Sequence, residues 1–96
     1  MREYKILEIL HSGRKGIRLD PVTEEKYNGM VNSIVKMNKL ENIKEFESIR
    51  MYIKYHPLYD FWDTSAIIGL SYSISEHKYY LETINTIYVL QELEED

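Results

Sequence analysis

Residues 75–93 read SEHKYYLETINTIYVLQEL, and the fold turns on whether they form a helix or a strand. Two patterns compete in them. Tyr80 or Leu81, Ile84, Ile87, Tyr88 and Leu90 keep a helical spacing. Ser75 sits where an N-cap belongs. Against this, the run from Thr83 to Val89 is rich in β-branched residues, whose stiff side chains suit a pleated sheet. The spacing favours a C-terminal helix over about 75–93 with a frayed acidic end, and a strand stays open as the alternative.

Upstream the period is clearer. In AIIGLSYSIS (66–75), Ile68, Leu70, Tyr72 and Ile74 alternate with other residues, which predicts a strand. In residues 48–56, Ile49, Met51, Ile53 and Tyr55 alternate with Arg50, Tyr52, Lys54 and His56, a second half-buried strand that Pro57 ends. Between them YHPLYDFWDTS (55–65) reads as an aromatic loop. Together 47–74 is a hairpin with a long tip.

The first part of the chain reads as helical. REYKILEILHSG (2–13) spaces Tyr4, Ile6, Leu7, Ile9 and Leu10 for one helical face, and Gly13 can end a helix over about 2–12. RKGIRLDP (14–21) is a basic connector, and Pro21 disfavours helix at Asp20. In PVTEEKYNGMVNSIVKMNKL (21–40), Thr23 is a candidate N-cap, and Glu24 and Glu25 suit the positive end of a helix. Tyr27, Met30, Val31, Ile34, Val35 and Met37 would be buried, with Asn28, Asn32, Lys36 and Lys39 on the other side. Gly29 costs such a helix about 1 kcal/mol relative to Ala, and Asn-Gly is a turn signal. The segment is therefore one helix over 23–39 or two short helices bent at Gly29.

Ninety-six residues allow one domain, with no room for a second core. Cysteine is absent, which excludes disulfides, thiol catalysis and thiolate metal sites and is compatible with a reducing cytoplasm. No signal peptide and no membrane span are legible. The richness in Tyr, Ile, Lys, Asn and Glu suggests an AT-rich genome, bacterial or viral. The net charge of −4 is unevenly spread. Residues 1–40 hold eight cations against five acids, a balance of +3, and residues 41–96 sum to −7. The basic half is where a polyanion would dock, and the acidic half would repel it.

The order helix, basic connector, helix, strand, strand, helix resembles a winged helix-turn-helix domain, in particular the YjcQ-like small proteins of bacteria and phage. YKILEILHSG matches the first helix, VTEEKYNGMVNSIVKMNKLENI the helix that lies in the groove, and YSISEHKYYLE the passage from wing to last helix. The resemblance implies a single α+β, winged-helix-like domain over 1–96, with helices packed on a small antiparallel β-hairpin wing and a C-terminal helix. It implies a DNA-binding transcriptional regulator. In that reading Asn28 and Asn32 pair with base edges and Lys36 or Lys39 contacts phosphate. Lys26 belongs to the same surface, while Arg14, Lys15 and Arg18 hold the backbone. Such regulators often pair through a terminal helix, so a homodimer seamed by Tyr80, Ile84, Ile87 and Tyr88 is expected.

The competing reading is a small acidic phage or mobile-element protein that binds a host protein. Its aromatic loop concentrates Tyr55, Tyr59, Phe61 and Trp62 among acids, the composition of an interface anchor. A loop folded down to complete the core explains the same residues, because a lone Trp in a small domain usually packs inside. No catalytic constellation is legible. His11, His56 and His77 are far apart, no Gly-rich phosphate loop exists, and no cofactor or metal motif is present.

Overall fold

The computed structural model describes residues 2–11, 29–54 and 60–93. Among them there is no α-helix, and no helix long and apolar enough to cross a membrane. The described residues form seven antiparallel strands: β1 (Arg2–His11), β2 (Ile34–Met37), β3 (Arg50–Ile53), β4 (Phe61–Asp63), β5 (Ile67–Ser73), β6 (Lys78–Thr83) and β7 (Thr86–Glu92). One 3-10 turn, Leu40–Asn42, follows β2. The sheet order is β4-β3-β2-β1-β7-β6-β5. This all-β architecture overturns the α+β winged-helix expectation and, with it, the helix-turn-helix.

Each misread helix has a physical cause. The segment expected as the first helix is β1, which pairs with β2 and β7 at the centre of the sheet. Ile6 lies opposite Leu90 and Glu8 opposite Val89, so Leu7 is an extra, bulged residue. Tyr4 and Ile6 point inward before the bulge and Ile9 after it. That phase slip turns a two-residue period into something close to a helical one. In the segment expected as a helix over 23–39, residues Gly29–Asn32 form a turn, Asn32 has φ 72°, and β2 follows with Val35 and Met37 inward. Residues 21–28 lie outside the described residues.

The segment expected as a C-terminal helix is the hairpin of β6 and β7, turned at Ile84–Asn85. β7 sits between β1 and β6; Tyr88 and Leu90 belong to the core cluster, and on the opposite face Val89 is also buried, with Ile87 half-buried and Gln91 exposed. Three consecutive buried apolar residues, Tyr88 to Leu90, hide the alternation in the middle of the strand. With the helix gone, the expected dimer seam dissolves. Tyr88 points into the core, Ile84 lies in the turn, and Tyr80 and Ile87 lie on the outer face. The two strands expected upstream are present as β3 and β5, but they do not form one hairpin. β3 pairs with β4, and β5 pairs with β6.

The topology forces the sheet to curl. β4 and β5 occupy opposite edges of a seven-stranded sheet. Six strand spacings of about 4.8 Å would set those edges about 29 Å apart in a flat sheet. Yet three residues, 64–66, join them, and the chain from Asp63 to Ile67 spans at most about 14 Å even when extended. The sheet therefore wraps until both edges meet one continuous length of chain, 61–73. Backbone hydrogen bonds mark the junction: Thr64 N to Ile49 O at 3.0 Å, Ile67 N to Glu47 O at 3.0 Å, and Phe46 N to Ile67 O at 2.7 Å.

The wrapped interior holds one apolar cluster that includes Tyr4, Ile6, Ile9, Val35, Met37, Met51, Ile67, Leu81, Tyr88 and Leu90. Its polar atoms are matched. The Tyr4 hydroxyl accepts the Leu40 N–H at 3.1 Å, and burial raises its pKa above the ordinary tyrosine range. At the β6–β7 turn Thr83 Oγ1 accepts from Thr86 N at 3.2 Å and donates to Thr86 O at 3.0 Å.

Candidate functional site

β3 and β4 place four side chains of contrasting chemistry on the outer face. In β3 the two-residue period turns Met51 and Ile53 inward and leaves Arg50 and Tyr52 exposed. In β4 Trp62 turns inward, and Phe61 and Asp63 face out. The register sets Arg50 opposite Asp63 and Tyr52 opposite Phe61.

Arg50 is held from two directions. Its Nε donates to Asp63 Oδ1 at 2.8 Å and a terminal nitrogen donates to Asp63 Oδ2 at 3.0 Å, a bidentate pair. Its guanidinium carbon lies 4.0 Å over the centre of the Phe61 ring, within cation–π range. The hydrogen bonds to Asp63 raise the guanidinium pKa, and Arg50 in turn holds the Asp63 carboxyl below the ordinary aspartate range. Phe61 is 45% exposed and Tyr52 42% exposed, so large aromatic area remains open beside a fixed cation.

The face continues across the sheet. Lys36 of β2 lies opposite Tyr52, and Glu3 of β1 lies opposite Lys36. Lys54 forms an ion pair with Glu3. Cations and carboxylates thus alternate around the two aromatic rings instead of forming a single-sign field.

The residues expected to read nucleic acid do not assemble as expected. Asn32 is in a turn, Lys36 is at mid-strand, and Lys39 is the residue before the 3-10 turn. Asn32 and Lys39 flank opposite ends of β2, so no helical face unites them. Arg14, Lys15, Arg18, Lys26 and Asn28 lie outside the described residues.

The aromatic set divides. Phe61 is on the exposed face. Trp62 is half-buried against the core, and its Nε1 donates to the Tyr88 hydroxyl at 3.1 Å, which ties β4 to β7 across the interior. Tyr55 and Tyr59 lie outside the described residues. Sequence reading missed Arg50 and Tyr52 as site residues. Their outward position was legible in the alternation of β3, but their meeting with Phe61 and Asp63 depends on a register that alternation does not specify.

Among the described residues no three His, Asp or Glu side chains come together to hold a metal ion. His11 and His77 are both exposed, His77 in the turn before β6, and His56 lies outside the described residues. The chain matches no family model, no curated protein and no solved structure.

Proposed function

We propose that this chain is a small protein-binding module that docks a partner on the outer face of β3 and β4, around Arg50, Tyr52 and Phe61. The observation that carries the reading is the Arg50 guanidinium, stacked on Phe61 and gripped by Asp63 while the cluster stays open to solvent. Tyrosine, tryptophan and arginine supply most of the energy of protein interfaces, and aromatic residues as a class are enriched in them. A side chain fixed before binding avoids an ordering cost of about 0.5–1.5 kcal/mol. The mixed charge of the face and the net charge of −4 also favour a protein partner over a polyanion, which calls for clustered cations. The absence of cysteine supports a place in a reducing cytoplasm.

The test is affinity capture with the immobilised chain, followed by titration of the captured partner against Arg50→Ala and Phe61→Ala. Both variants should weaken binding about tenfold or more, the effect of losing a hot-spot residue, with an unchanged circular dichroism spectrum. Equal binding by both variants would refute this face as the docking surface. Mixed-sequence duplex DNA in a salt series serves as the contrast. Binding that weakens steeply with salt would reveal phosphate contacts and return the nucleic-acid reading.

A further inference from the structure

The two edges of the sheet are guarded differently. β4 is three residues long and carries Asp63 in its pair with Arg50. Short, charged edges resist pairing with other chains. β5 has neither defence. It is seven residues long and none of them is charged. Phe46 and Glu47 cover its first residue, Ile67, through backbone hydrogen bonds. Past Ile67 its outer side has no strand partner among the described residues. Leu70 and Tyr72 are 39% and 47% exposed, and Ile74, just beyond the strand, is more exposed still.

The absence of charge extends past the strand. Residues 64–75 are the longest stretch of the chain without Asp, Glu, Lys or Arg, twelve residues. A charge-free run of nine, 83–91, passes through β7, where Tyr88, Val89 and Leu90 are all buried and charge is costly. On an open edge solvent imposes no such demand.

Charge also indicates the occupant. In a twofold-symmetric pairing each side chain near the axis meets its own copy or a close neighbour of it, so any charge there is self-repulsive. A strand built for a different partner has no such constraint and gains from complementary charges. An axis at Ser71 would set Leu70 of one copy opposite Tyr72 of the other, twice, and Gly69 opposite Ser73. Every contact is uncharged, and the Leu–Tyr pairs are of a type that stabilises sheets.

We infer that β5 is a homodimerisation edge, along which two copies pair antiparallel through residues 69–73 and join their sheets. The surface is separate from the Arg50–Phe61 face, so either can fail without the other.

Sedimentation velocity of the full chain over a concentration series tests it, with Ser71→Lys and Ser71→Glu beside the wild type. Ser71 is exposed, so both variants should keep the wild-type circular dichroism spectrum. The wild type should dimerise. Each variant, opposing two like charges at the axis, should dimerise about tenfold or more weakly. An equimolar mixture of the two variants should recover the dimer, since Lys then faces Glu. A wild type that stays monomeric at every concentration overturns the inference, as does a variant that dimerises like the wild type or a mixture that does not recover. Should one variant fail to fold, the other against the wild type still decides.

Discussion

Thr64→Val isolates the corner where chain 61–73 leaves one sheet edge for the other. Thr64 is buried, its N–H donates to Ile49 O at 3.0 Å, and its Oγ1 accepts from Ile49 N at 3.0 Å. Valine keeps the shape and the first of these bonds but deletes the acceptor. The Ile49 N–H is then left without its partner in a buried position, which costs about 1–3 kcal/mol. In a domain of this size each kcal/mol lowers Tm by about 4–8 °C. Thermal unfolding of the variant by circular dichroism should show a loss of that order. Hydrogen exchange locates the effect. The Ile49 amide should exchange faster in Thr64→Val and near the wild-type rate in Thr64→Ser, which keeps the hydroxyl and gives up only a methyl. A Thr64→Val protein within about 0.5 kcal/mol of wild type, the range of neutral surface changes, with Ile49 still protected, would refute the claim that this hydroxyl holds the corner.

Three further outcomes are expected. Phe46 has φ 67° yet its ring is 76% exposed, so Phe46→Gly should stabilise the fold by about 1 kcal/mol by removing left-handed strain with little packing to lose; a drop in the denaturation midpoint would show that the ring has a structural role. Leu81→Ala, at a fully buried core position, should cost about 2–5 kcal/mol in urea unfolding, and a loss under about 1 kcal/mol would mean the interior repacks freely. Because Arg50 holds the Asp63 carboxyl below its ordinary value, the ion pair is fully formed above the unfolded aspartate range and is lost as pH falls through the lower, folded value. A carboxyl NMR titration should therefore place the Asp63 midpoint below that of a free aspartate, and Arg50→Ala should move it back up.

The strands whose one face meets solvent were legible in the sequence. β3 alternates cleanly because Met51 and Ile53 are covered and Arg50 and Tyr52 are not. β1 was hidden by one residue, since the Leu7 bulge shifts the inward set from Tyr4 and Ile6 to Ile9. β7 was hidden because Val89 on its outer face is apolar and buried like Tyr88 and Leu90 on its inner face. The β-branched run from Thr83 to Val89 was the signal that favoured strand there, and helical spacing of the same residues outweighed it. At the candidate site Phe61 was singled out as an aromatic, but Arg50 and Asp63 lie thirteen positions apart and meet only through the β3–β4 register.

The central pair of the sheet joins β1 to β7, with Tyr4 opposite Glu92. During synthesis β1 leaves the ribosome before the other six described strands and must wait for almost all the described chain before its long partner exists. Until then it can pair only with β2, and the apolar residues later shared with β7, Ile6 and Ile9, stay uncovered on that side. Contacts this distant along the chain also form slowly once they are possible. The nascent chain therefore passes through a prolonged stage with an open, apolar β1 edge.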